Sequence, residues 1–238
     1  MGAADDVRAA DPAVGAGRAV AGPATAVAPA RVATGPRIGL LGGTFNPPHL
    51  GHLVLAECAR DELGLDEVRL VLAARPPHKD VEDDPGPDER LALCRAAVAG
   101  DEGRLAVSDV ELRRDGPSYT ADTLEGLAAE HPDAAFVLLL GGDAAAGLES
   151  WSRPKDVLRF AAIGVAERGT DTHRRARDAV ARLGHPDRLL PFAMPSMELS
   201  STAIRARVRA GRTIRHLVPR GVEARIDRLG LYRGGGNT

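Results

Sequence analysis

Aromatic residues are scarce in this 238-residue chain: one Trp, two Tyr and four Phe amount to 3% of it. Single-stranded nucleic acids are usually held on aromatic platforms inside basic grooves, and duplexes on basic patches. With so few rings and a formal net charge of −2, the chain has no global basic field to draw a polyanionic polymer, and no nucleic-acid partner is expected. Cysteine is nearly absent as well. Cys58 and Cys94 each lie in a segment of helical period, in no CxxC or other metal-ligand spacing, so they read as buried free thiols in a reducing cytoplasm. Lysine occurs only at Lys79 and Lys155, which carries no functional weight. No run approaches the ~18 apolar residues that a membrane-spanning helix needs. The longest, Phe136 to Leu140, has the length of a buried strand, so no membrane association is expected. GxxxxGK[ST] and GxGxxG are missing too, which argues against a P-loop ATPase and a dinucleotide-binding dehydrogenase. There is no internal repeat.

What is present falls into two textures. Residues 1–36 are mostly Ala, Gly, Pro, Val and Thr with scattered charges and no aromatic residue, which predicts a disordered N-terminal extension. A secretory signal is not expected there, because acidic residues stand where a basic region should be and Pro23 and Pro29 interrupt the apolar stretch. From Arg37 onward, apolar runs of strand length alternate with segments of helical period. That alternation predicts one α/β domain over residues 37–238: a doubly wound, Rossmann-like parallel sheet flanked by helices. Strands are expected at Arg37–Leu41, Glu67–Ala73, Arg104–Val107, Ala135–Leu140, Ala161–Ala166 and Asp187–Phe192. Helices are expected at about Leu50–Leu63, Asp88–Ala99, Tyr119–Glu130, Pro154–Phe160, Thr172–Leu183, Ser201–Ala210 and Gly221–Leu229. In such sheets a ligand binds beyond the strand carboxyl ends, where the strand order reverses.

The first strand leads into Gly42-Gly-Thr-Phe-Asn-Pro-Pro-His-Leu-Gly-His52. Gly42 and Gly43 would let the backbone turn sharply and approach a ligand, and Thr44 adds a hydroxyl and an amide for phosphate oxygens. Pro47 and Pro48 would stiffen the entry to a helix whose N-terminal amides favour an anion. His49 and His52, three apart, would point from one helix face toward the same place. Capping or packing is the ordinary alternative for either histidine alone. A metal centre is disfavoured, since no third ligand or HExxH-like general base is evident nearby; no protein-held metal is expected.

This segment resembles the [ST]-F-x-P-x-H-x-G-H signature of the HxGH nucleotidyltransferase superfamily, and Ser200-Ser-Thr-Ala-Ile-Arg205 resembles its second signature, ISSTxIR. The resemblance implies a Rossmann-like fold and an ATP site formed by Gly42, Gly43, Thr44, Phe45, His49, His52, Ser201, Thr202 and Arg205. Among these, His49, His52 and Arg205 would be catalytic, and Mg2+ would be held mainly by the ATP phosphates. An ordinary helix N-cap is the alternative at Ser200–Thr202, and it is compatible with phosphate binding.

Further motifs resemble nicotinate-nucleotide adenylyltransferases. They are Pro76-Pro-His-Lys79, Glu111-Leu-Arg113 with Ser118-Tyr-Thr-Ala-Asp-Thr-Leu124, Gly141-Gly-Asp143 followed by Trp151, Arg168, and Gly230-Leu-Tyr232. The resemblance implies ATP and nicotinate mononucleotide as partners, with the mononucleotide held by His78, Lys79, Tyr119, Thr120, Asp143, Trp151 and Arg168. An electron-poor nicotinate ring stacks well on an indole, and its carboxylate suits a helix N-terminus opened by Tyr119 and Thr120. Taken singly, Trp151 could be core, Thr120 a helix cap and Asp143 surface loop. Asn46 departs from the family, in which many members carry Asp. The Pro- and acid-rich segment from Arg75 to Pro87 reads as a candidate lid, and a homo-oligomer is left open.

Overall fold

The computed structural model describes residues 35–74, 83–101, 103–166 and 170–234, leaving most of the expected N-terminal extension and residues 75–82 outside the description. Six strands, β1 (Arg37–Gly43), β2 (Glu67–Leu72), β3 (Leu105–Ser108), β4 (Ala135–Leu140), β5 (Ala161–Ala166) and β6 (Leu189–Phe192), form one sheet in the order β3-β2-β1-β4-β5-β6. Every pair is parallel. The chain therefore winds outward from β1 to β3, returns to place β4 on the other side of β1, and winds outward again. The reversal falls between β1 and β4, and it opens a crevice at their carboxyl ends.

A parallel sheet of this kind must be covered on both faces, and β4 shows how its sequence meets that demand. Ala135-Phe-Val-Leu-Leu-Leu140 has no polar residue, yet it divides strictly: Phe136, Leu138 and Leu140 join one buried cluster, Val137 and Leu139 the other. Period-two side-chain alternation within an unbroken apolar run is what a doubly covered strand requires. Burial of so much apolar surface is the main source of stability. At Gly164 in β5 a Cβ would come within 2.7 Å of the Leu139 side chain, so a larger residue there would force the neighbouring side chains to shift.

The helices are α1 (Leu50–Leu63), α2 (Pro87–Ala97), α3 (Thr120–Glu130), α4 (Gly142–Ala146), α5 (Pro154–Phe160), α6 (Thr170–Arg182), α7 (Ser201–Arg209) and α8 (Arg220–Leu229). A third cluster, including Leu93, Ile204, Val218, Val222, Ile226 and Tyr232, joins α2 to α7, α8 and the C-terminal residues. At Gly221 a Cβ would stand 2.7 Å from the Ala96 carbonyl, so α8 lies directly on α2. No helix among the described residues is long and apolar enough to cross a membrane.

Four local expectations are corrected. β1 runs on through Gly42 and Gly43, which pair with Val71 and Leu72; the turn begins at Thr44, and Phe45 is the residue with positive φ, at 49°. β6 starts at Leu189, because Pro186–Arg188 forms a turn of 3-10 helix in front of it. The expected helices include none directly after β4, yet Gly142 opens the short helix α4, with Asp143 in its first turn. His49 is not on the helix but is its N-cap, with extended φ and ψ of −138° and 169°.

Candidate active site

The crevice is floored by the turn between β1 and α1. The His49 N–H donates to Nδ1 of His52 at 3.1 Å, and the His52 N–H returns to the His49 carbonyl at 2.9 Å. The Leu50 amide, the first of α1, is taken by the Leu217 carbonyl at 3.0 Å. The two imidazoles stack with centroids 3.8 Å apart, and the Phe45 ring meets His52 edge-on at 5.0 Å. Because Nδ1 of His52 accepts a hydrogen bond, its neutral ring carries the proton on Nε2 and offers a donor there. Burial pulls the His49 imidazole down to about 4, and burial together with the charge His49 would carry pulls His52 down to about 3. Both rings are therefore neutral near pH 7 in the free protein, and an incoming polyanion would favour their protonation.

Gly51 makes this stack possible. A Cβ there would sit 3.0 Å from Nδ1 and 3.1 Å from Cε1 of His49, so the ring lies directly over the helix backbone. Gly51→Ala should gain helix propensity, up to about 1 kcal/mol, while displacing the imidazole and lowering kcat at least tenfold. Thermal melting and steady-state kinetics check this; an undiminished kcat would show that the close contact is incidental.

The second signature is bolted to the first. Ser200 caps α7, its Oγ accepting from the Ala203 N–H at 3.1 Å. The Ser201 hydroxyl donates to the Pro47 carbonyl at 2.8 Å, and Arg205 Nη1 donates to the Asn46 carbonyl at 3.0 Å. Thr202 is exposed in the first turn of α7. Asn46 is 2% exposed; its Oδ1 accepts from the Tyr232 hydroxyl at 2.7 Å and its Nδ2 stands 3.5 Å from the Asp83 carbonyl. The Asp83 carboxylate pairs with Arg209 and lies 3.8 Å from Nε of Arg205. Gly42, near the end of β1, is exposed, and a Cβ built there would meet no atom within 4 Å beyond its chain neighbours.

On the other side of β1, Tyr119 is the N-cap of α3 and Thr120 its first residue. Ser118 Oγ accepts from the Ala74 N–H at 3.0 Å, tying this helix start to the end of β2. One turn in, the Thr123 hydroxyl donates to buried Glu111 at 2.7 Å, which gives the paired Glu111 and Ser118–Leu124 motifs a structural reason. Trp151 is half-buried and packs on the cluster that contains Ala121 and Leu124 of α3. Asp143 is exposed. His78, Lys79 and Arg168 lie outside the described residues.

Two arginines escaped the sequence reading. Arg153, with φ of 53°, pairs with Asp122 and Glu125 of α3 and Asp156 of α5, bracing the helix that carries Tyr119 and Thr120. Arg90 is buried in α2 and bonded to the ends of both β1 and β2. Its signal was legible: Arg90, Cys94 and Ala97 follow the helical period of a buried face, and a charge at an apolar position is informative.

A parallel sheet with a histidine pair at its switch point, clasped by a Ser-Ser-Thr-x-x-Arg helix, defines a nucleotidyltransferase, and the Cytidylyltransferase-like family model matches residues 40–207. The chain is 43% identical over 196 residues to the "Probable nicotinate-nucleotide adenylyltransferase" of Salinibacter ruber, covering 82% of this chain and 97% of that one. It is 42% identical over 212 residues to the protein of the same name from Pseudomonas fluorescens, covering 84% and 98%. The chain belongs to the nicotinate-nucleotide adenylyltransferase family. Its fold is shared with the Plasmodium falciparum nicotinic acid mononucleotide adenylyltransferase complexed with NaAD, at a TM-score of 0.66 and 18% identity over 84% of this chain and 99% of that one.

Proposed function

We infer that this chain transfers the AMP moiety of ATP to nicotinate mononucleotide, yielding deamido-NAD and pyrophosphate in NAD biosynthesis. The observation that carries the reading is the clasp of α7 onto the β1–α1 turn: Ser201 and Arg205 bond the Pro47 and Asn46 carbonyls beside the stacked histidines. The family membership supports it at the level of the whole chain.

In this reading a phosphate oxygen of the mononucleotide attacks the α-phosphorus of ATP in line, the bond from that phosphorus to the bridging oxygen breaks, and pyrophosphate leaves. No covalent enzyme intermediate is needed, so the work is positioning and charge stabilisation. His49 meets the α-phosphate as charge builds on it. His52, through Nε2–H, and Thr44 hold the phosphates, with Gly42, Gly43 and Phe45 shaping the floor. Ser201, Thr202 and Arg205 close the triphosphate cradle from α7. Mg2+ would be held mainly by the ATP phosphates, where it would offset their charge.

Tyr119 and Thr120 meet the nicotinate carboxylate at the α3 N-terminus, Trp151 stacks on the ring and Asp143 takes a ribose hydroxyl. His78, Lys79 and Arg168 complete the mononucleotide site. The α3 dipole favours the carboxylate of nicotinate over the neutral amide of nicotinamide. The enzyme would work in the cytoplasm.

The test is pyrophosphate release with ATP and Mg2+ on nicotinate mononucleotide, nicotinamide mononucleotide and phosphopantetheine at equal concentration. Preference for nicotinate mononucleotide is expected. Activity with another acceptor alone would overturn the substrate, and silence with all three would overturn nicotinate mononucleotide as acceptor and point to a regulator or an untested acceptor.

A further inference from the structure

Arg90 is 1% exposed and heads the largest fully buried side chains among the described residues. Burying a guanidinium is costly unless its donors are met, and here they are met in a particular way. Nη1 donates to the Thr44 carbonyl at 3.0 Å and the Ala73 carbonyl at 2.8 Å, Nη2 to the Ala74 carbonyl at 3.2 Å, and Nε to Asp84 Oδ1 at 2.9 Å. Thr44 follows β1, and Ala73 and Ala74 follow β2. The planar fork thus fixes the exits of two neighbouring strands relative to each other.

The linkage continues in both directions. Thr44 lies in the turn that ends at His49. Ala74, through its own N–H, bonds Ser118 at 3.0 Å, and Ser118 immediately precedes Tyr119 and Thr120. One side chain therefore connects the ATP side of the crevice to the acceptor side: Thr44, Arg90, Ala74, Ser118, α3. Packing alone gives no reason for a charge here, since Leu91, Leu93, Cys94 and Ala97 already supply the apolar contacts of α2.

We propose that Arg90 is a positioning residue for adenylyl transfer, setting the spacing between the ATP-phosphate turn and the acceptor helix through the Thr44, Ala73 and Ala74 carbonyls. This rests on the function proposed above. It separates two quantities that a merely structural role would move together. Each half-site keeps its own ligand groups, so binary affinities persist, whereas the distance between the reacting atoms does not. A misplacement of about 1 Å costs on the order of 100-fold in rate.

The experiment uses the full chain and Arg90→Met, Arg90→Lys and Ser118→Ala. Calorimetry gives the binary Kd of ATP and of nicotinate mononucleotide; rapid quench gives the single-turnover rate per folded molecule. Arg90→Met is expected to keep both Kd values within about threefold and lose about 100-fold in rate. Arg90→Lys should recover part of that loss, and Ser118→Ala should lose rate in the same pattern to a smaller degree. A rate per folded molecule equal to that of the parent chain in Arg90→Met, or in Ser118→Ala should Arg90→Met fail to fold, overturns the proposal. So does a rate loss explained entirely by a weaker Kd for one substrate. Turnover of the parent chain with nicotinate mononucleotide tests the underlying function independently.

Discussion

Replacing His49 by alanine is expected to lower kcat by about three orders of magnitude and leave the fold intact, the scale seen when a preorganised charge-stabilising donor is removed. His49 is 6% exposed, stacked on His52, and its Nδ1 is buried with no hydrogen-bond partner. An orphaned buried polar atom costs roughly 1–3 kcal/mol, and nothing in the core requires an imidazole there. The helix start, by contrast, is held by backbone groups: the His49 N–H to His52, the His52 N–H to the His49 carbonyl, and the Leu50 N–H to Leu217. All three survive in His49→Ala, so circular dichroism and melting temperature should stay close to those of the parent chain. His52→Ala is a less clean experiment, because it removes both the proposed phosphate donor and the Nδ1 that anchors the His49 backbone. Quenched single turnovers of folded His49→Ala within a few-fold of the parent rate would end its assignment to the transition state.

The sheet was legible wherever burial on both faces leaves no choice of residue. β4 and β5 match their expected limits because Ala135–Leu140 and Ala161–Ala166 carry no polar or charged side chain. Legibility failed where a local rule had two outcomes. Gly42 and Gly43 can turn, but they can also extend a strand and spare it side chains; here they extend it, and the strain of the turn falls on Phe45. His49 and His52 at a spacing of three suggest a shared helix face, yet the same spacing suits an N-cap and its third helical residue, which is how they stand. The short helix α4 was hidden by the glycines around it. The two signatures marked the β1–α1 turn and α7, which the structure brings together. What holds them in place was not legible, since no local pattern announces that Tyr232 will reach Asn46 across 186 positions or that Arg90 will collect carbonyls from two strand ends.

Asn46 links these observations. Against the Asp that the family resemblance leads one to expect at this position, the neutral amide makes two different contacts: Oδ1 accepts from Tyr232, and Nδ2 faces the Asp83 carbonyl. A carboxylate could keep the first contact but not donate the second. It would also place a buried negative charge next to Arg205, offsetting the positive charge with which that guanidinium is proposed to meet the triphosphate. In this chain the carboxylate near Arg205 is Asp83 instead, 3.8 Å from Nε and shared with Arg209.

That arrangement makes Arg205 the second position of large expected effect. Arg205 is 8% exposed, and its Nη1 donates to the Asn46 carbonyl at 3.0 Å, so its guanidinium is oriented before any nucleotide arrives. A preoriented arginine opposite a transferring phosphoryl group is worth 10³-fold or more in related chemistry. Arg205→Met should therefore lower kcat/KM for ATP by about 10³-fold, or about 4 kcal/mol of transition-state stabilisation. Arg205→Lys, which restores the charge but not the planar fork, should recover about tenfold of that. Stability should fall as well, because the Asn46 carbonyl loses a buried partner at a cost of about 1–3 kcal/mol, or a few degrees in melting temperature for a chain of this size. The two losses are separable: stability reads the bond to Asn46, and ATP kinetics read the phosphate contact. If Arg205→Met melts early but binds and turns over ATP like the parent, Arg205 is only a brace for the turn, and the cradle would rest on Ser201, Thr202 and the histidines alone.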